Sequence, residues 1–135
     1  MTRALSRAEV LSGVRDCLAA ALDVQPEAVR EDQRIVGDLG ADSLDLLDLT
    51  FQLEQKFKVS ISPRDIERRA RERLAGRPLE QDGVYTAEGL AELARALPEV
   101  PPEELAPGLT AAELPRRLRV ATMVNLVLRL REESP

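Results

Sequence analysis

Apolar residues recur along this chain at three- and four-residue spacing, and almost nowhere at two, so the pattern predicts helices. Ser6-Arg7-Ala8-Glu9 has the form of a capping box, and the stripe Val10, Val14, Cys17, Leu18, Ala21 follows it. A first helix is expected over Arg7 to Leu22. Asp23 to Arg34 is polar, with Pro26 and isolated Val24 and Val29, and reads as a long connecting loop pinned to the core by Ile35, Val36 and Leu39. A second helix is expected from Ser43 to about Phe57. Leu44, Leu47 and Phe51 form one apolar row and Leu46, Leu49, Leu53 and Phe57 a second, so a wide buried face is predicted for it.

The remainder is more broken. Ser62-Pro63-Arg64-Asp65 offers a Ser cap, Pro at the first helical position and an early acid, predicting a charged helix to Ala75 closed by Gly76. Residues 77 to 85 read as a loop around Pro78 and Gly83, with no strand signal. Thr86 is positioned to cap a helix over Ala87 to Leu97, weakened at Gly89 by about 1 kcal/mol. Pro98, Pro101, Pro102 and Pro107 mark an irregular stretch. Thr110 to Glu113 forms another capping box, giving a single turn. A last helix is expected from about Pro115 to Arg131, with the stripe Leu118, Ala121, Val124, Leu128 widened by Leu126, Val127 and Leu130. The fold class is all-α: a helical bundle expected as one domain over residues 1–135, with residues 62–118 an inserted helical and proline-rich elaboration. Leu74, Leu79, Val84, Leu90, Leu93 and Leu97 give that insertion apolar material to pack onto the bundle.

Composition removes several function classes. The formal charge is −5 and aromatics are limited to Phe51, Phe57 and Tyr85, so the chain lacks both the charge and the stacking platforms of a nucleic-acid binder. It has no histidine and one cysteine, which leaves neither an internal disulfide nor an ordinary zinc site. Cys17 lies on the apolar stripe of the first helix and reads as a small core residue. With no signal-peptide pattern and no span-length apolar segment, a cytoplasmic protein is expected.

The most informative stretch is Asp38-Leu39-Gly40-Ala41-Asp42-Ser43-Leu44-Asp45. Three roles for Ser43 present themselves. As a nucleophile it would need a general base, yet the chain has no His, no Lys before Lys56 and no G-x-S-x-G elbow. Carboxylates around it raise the energy of an alkoxide, so self-contained catalysis is excluded. As a cap it would satisfy orphan N–H groups, but a cap needs one acid, whereas Ile35 to Gln55 carries five acids and no base. As a modification site it would place a phosphodiester at the positive end of a helix, with Asp38, Asp42, Asp45 and Asp48 facing an external enzyme.

The same residues resemble the phosphopantetheine-attachment signature of acyl carrier proteins. The likeness extends back through Leu22, Val24, Glu27, Val29 and Ile35, and forward through Leu53-Glu54-Gln55-Lys56-Phe57 and Ile61; Arg119 to Val124 is similar to the start of the family's last helix. The resemblance implies a small helical bundle, no catalysis of its own, and a 4′-phosphopantetheine arm on Ser43 whose thiol holds acyl groups. It implies a phosphopantetheinyl transferase and acyl-adding or acyl-transferring enzymes with basic docking patches as partners, Asp38, Asp42, Leu44, Asp45, Asp48 and Glu54 as recognition residues, and a monomer. Fatty acid, specialised lipid and polyketide synthesis are the pathways it suggests. An aminoacyl or peptidyl carrier and an unmodified helical interaction subunit are the alternatives. Ile35 stands where the family usually has Phe, Gly37 and Thr122 where acids are common, and Gln55, Lys56 and Lys58 where acids usually continue. The 57 residues from Ser62 to Leu118 replace a short helix and loop.

Overall fold

The computed structural model describes residues 4–61 and 65–133. Five α-helices carry the fold: α1 (Arg7–Leu22), α2 (Ser43–Phe57), α3 (Asp65–Leu74), α4 (Ala87–Ala96) and α5 (Val120–Glu133). A two-stranded antiparallel sheet, β1 (Glu80–Gln81) and β2 (Val84–Tyr85), is the one sheet among the described residues. The chain divides into two compact units, residues 1–61 with 119–135 and residues 62–118.

In the first unit α1 forms as its pattern dictates. Ser6 accepts from the Glu9 amide and Glu9 returns a bond to the Ser6 amide, satisfying two orphan donors reciprocally. Val10, Val14, Cys17 and Leu18 are buried against α2 and α5. Gly13 is required by proximity: a β-carbon there would lie 2.4 Å from the Phe57 ring.

The connection from Asp23 to Arg34 is more ordered than its polarity suggested. It contains a 3₁₀ turn at Pro26–Ala28, and Val29, expected to be isolated, is fully buried. The Arg15 guanidinium donates to the Val29 carbonyl at 2.9 Å, fixing the loop to α1. Of the three expected pins, Ile35 is fully buried, whereas Val36 and Leu39 are half-buried.

The last helix begins later than its pattern predicted. Leu114–Arg117 forms a 3₁₀ turn, Leu118 is extended, and α5 starts only at Val120. The interruption has a cause: Arg119 forms a bridge with Arg34, and the amides of Val120 and Ala121 donate to the carbonyls of Gln33 and Glu31. Those amides would otherwise be the unpaired first turn of the helix. Thr122 accepts from the Arg119 amide at 2.9 Å, so a hydroxyl does the capping at this start. Val120, absent from the predicted stripe, is fully buried, while Leu128 and Leu130 are half-buried.

Residues 62–118 hold a second core. Leu74, Leu79, Leu90, Leu93 and Leu97, assigned from sequence to packing on the bundle, bury together with Tyr85, Val100, Leu105, Leu109 and Leu114 within their own unit; Val84 is exposed. The loop expected at 77–85 is a hairpin turning at Asp82-Gly83, both in the left-handed region that two-residue hairpin turns demand. Residues 109–111 run beside it, with Tyr85 donating to Leu109 and Ala111 to Gly83. Thr86 caps α4 as expected. Gly89 is required by packing, because a β-carbon there would sit 2.3 Å from the Leu79 carbonyl oxygen. Asp65, 3% exposed, is held by Arg69 at 2.9 Å and Arg68 at 2.5 Å. The proposed cap at Ser62-Pro63-Arg64 lies outside the described residues.

Candidate functional site

The segment preceding Ser43 is a run of short turns. Asp38 and Leu39 both donate to the Arg34 carbonyl, Gly40 to Val36 and Ala41 to Ile35. Gly40 has φ +77° and nothing near its missing side chain, so the conformation alone demands glycine. Ala41 is buried, which seats the loop against the core immediately before the helix.

Asp42, and not Ser43, is the N-cap of α2. Its carboxylate accepts from the Asp45 amide at 2.9 Å, and Asp45 accepts from the Asp42 amide at 3.0 Å. Ser43 occupies the first helical position, exposed, and among the described residues nothing engages its hydroxyl. The alternative of Ser43 as a cap does not match this arrangement: two aspartates do that work and leave the serine oxygen free. The first-turn N–H groups beside it lie at the positive end of α2.

The acids divide their duties. The Asp38 carboxylate accepts from the Arg34 amide at 2.8 Å, and this bond, reinforced by the Arg34 guanidinium, holds its pKa below the ordinary carboxylate value. Among the described residues Asp48 accepts only from the neutral Gln52 side-chain amide. Glu54, a recognition residue by resemblance, is half-buried and accepts from the Ile61 amide at 2.8 Å, tying the segment after α2 back to the helix.

The largest departure concerns the face of α2. Leu49, Leu53 and Phe57 are buried as one row, at 2%, 0% and 4% exposure. The other row is not part of the core: Leu44, Leu47 and Phe51 are 75%, 49% and 54% exposed. A helix lying on one side of a bundle buries one stripe, and seven apolar positions exceed it. Leu44 was counted in the buried row by its spacing and among the recognition residues by resemblance, and its exposure fits the second. Leu47 and Phe51 were missed, although their three- and four-residue spacing from Leu44 placed them in the same row.

Cys17 is buried, and burial pushes its thiol pKa up, so it is a core residue and not a reactive one. Among the described residues no helix is long and apolar enough to cross a membrane.

Ser43 is thus exposed and unpaired at a helix start whose cap its neighbours supply. Residues 12–71 match the phosphopantetheine attachment site family. The chain is 46% identical over 59 residues to an acyl carrier protein of Campylobacter curvus, covering 44% of this chain and 77% of that one. It is 40% identical over 63 residues to the acyl carrier protein of Thermotoga maritima, covering 47% and 78%. No solved structure matches it significantly. The chain belongs to the acyl carrier protein family. It is a non-catalytic carrier, and its prosthetic group is covalently held 4′-phosphopantetheine.

Proposed function

We propose that Ser43 is the attachment residue, and that the chain is a cytoplasmic carrier supplying thioester-bound acyl groups to fatty acid, specialised lipid or polyketide synthesis. One observation carries this reading: the Ser43 hydroxyl is exposed and free because Asp42 and Asp45 form the cap. A phosphodiester on that oxygen would sit against first-turn N–H groups and the positive end of α2. The thiol of the arm supplies the thioester; the protein's own residues supply an anchor and a surface. Asp38, Asp42, Asp45 and Asp48 give that surface a negative field around the anchor, and Leu44, Leu47 and Phe51 give it apolar contact area. An external phosphopantetheinyl transferase and acyl-adding or acyl-transferring enzymes bring base, metal and basic docking patches.

Incubation with coenzyme A and a broad-specificity phosphopantetheinyl transferase tests this by intact mass. The wild type gains the arm and Ser43→Ala does not; a wild type that stays unmodified while folded contradicts the proposal. Subsequent charging by acyl-transferring rather than adenylating enzymes separates an acyl carrier from an aminoacyl or peptidyl one.

The insertion at residues 62–118 serves, in this reading, a dedicated partner or acyl chain. Its support is the separate hydrophobic core, which a disordered surface loop would not possess. A folded variant lacking residues 77–110 should lose efficiency with such a partner and keep its loading at Ser43; unchanged kinetics with every acyl-transferring enzyme would remove the docking role.

A further inference from the structure

The exposed row of α2 has two electrical ends. At its start Asp42, Asp45 and Asp48 pair with no basic side chain among the described residues. At its finish Lys58 is exposed and likewise without an acidic partner, whereas Lys56 is turned to Asp16 of α1 at 3.9 Å. Lys58 is not a loose appendage. It is the C-cap of α2 in the left-handed conformation, φ 56°, with its amide bonded to the Glu54 carbonyl. Leu44 and Leu47 lie alongside the acids, Phe51 lies between Asp48 and Lys58, and Gln55 continues the row toward Lys58.

At 1.5 Å per residue, Asp48 and Lys58 are about 15 Å apart along the helix. That exceeds the screening length of about 8–10 Å in physiological salt, so the two ends act on a partner as separate poles and do not cancel. Unspent charge of opposite sign at the two ends of one apolar stripe selects for a surface of matching order. We infer that α2 docks a partner enzyme through an apolar groove that is basic beside Ser43 and acidic beside Lys58. This rests on the carrier reading of Ser43 for its purpose, and on the stripe alone for its physics.

The occupant is a transient enzyme surface and not a second copy of this chain. Antiparallel pairing of two α2 helices would also match the poles, but a three-residue stripe is small beside the about 800 Å² per partner of a standard stable interface. A carrier must also release its partner after each transfer. A uniformly basic patch would satisfy the Ser43 end and be repelled by Lys58, so Lys58 is a specificity-determining residue.

The test uses the full chain, arm-loaded, with two labelled amphipathic helical peptides of equal length and apolar face. One has arginines at one end and glutamates at the other; its companion has arginines at both. Binding is followed by anisotropy at about 0.15 M salt, where the two poles are screened from each other. The polar peptide should bind the wild type about threefold tighter, the increment of one exposed ion pair. On Lys58→Glu the order should invert, and on Phe51→Ser both should be lost. Equal affinities, preference of the wild type for the doubly basic peptide, or no binding would each overturn the inference. Sedimentation showing Phe51-dependent self-association would assign the stripe to a second copy and overturn it equally. Arm loading is read by mass on the same samples, so failure at Ser43 is distinguished from failure at the stripe.

Discussion

In the proposed reading, Ser43 and Asp42 divide anchoring from capping between adjacent positions. Asp42→Ala removes half of the reciprocal cap and should cost about 1 kcal/mol of stability in denaturant titration. It leaves the serine hydroxyl in place, so loading by the transferase should persist. Ser43→Ala should do the reverse, with stability nearly unchanged and loading abolished. If Asp42→Ala instead abolished loading in a folded protein, the separation of the two roles would be wrong. The attachment motif was legible because its residue types are specific; the identity of the cap was not, because Asp-Ser-x-Asp allows either residue to cap and only the backbone decides. Asp65 gives a different kind of expectation. Burial by itself raises its pKa, but hydrogen bonds from Arg69 and Arg68 outweigh it and the net value lies below the ordinary 3.8. The unfolded carboxylate therefore takes up a proton first. The stabilisation is full above about pH 3.8 and disappears as pH falls through the lower folded value. Acid titration of Asp65→Asn should lack this component, and an unaltered acid limb would show that the pairing contributes nothing.

Two rows of α2 looked equivalent in sequence, and packing separates them. Leu53→Ala should cost about 2–5 kcal/mol, since a fully buried side chain is removed. Phe51→Ser should change stability by no more than about 0.5 kcal/mol and should weaken partner docking. Equal losses of stability from both would return Phe51 to the core. Periodicity reveals that a face is apolar but not whether anything covers it, which is why this row was read as buried. Gly89 teaches the converse. Helix propensity favours alanine there by about 1 kcal/mol, yet the close Leu79 carbonyl makes Gly89→Ala destabilising, by about 1–3 kcal/mol. A rise in melting temperature would refute that contact. Helix starts capped by a side chain, at Ser6 and Thr86, were read correctly because each capping bond spans only three residues. The start of α5 was misplaced because its amides are paired with residues 31 and 33, distant in sequence.

The described residues hold two hydrophobic clusters, and one of them has its own reporter. Tyr85 is the single tyrosine, and it is buried in the cluster of residues 62–118. With no tryptophan present, tyrosine fluorescence follows that unit alone. Leu93→Ala, at a fully buried position of the same cluster, should lower the tyrosine-monitored midpoint. An unshifted midpoint would contradict the assignment of Leu93 and Tyr85 to one core. Sequence identified the apolar residues of this insertion but not their organisation, because its helices are short, its hairpin rests on the dipeptide Asp82-Gly83, and its prolines obscure periodicity. The bundle was clearer because its two long helices are uninterrupted by proline and its attachment motif is specific.

Site-resolved mass spectrometry after transferase treatment reaches the heart of the matter. Fragmentation of the peptide spanning Ile35 to Lys56 should localise the arm to the oxygen of Ser43, in wild type and in Asp42→Ala alike. An arm found on Thr50, on another residue, or nowhere in a correctly folded chain would contradict it.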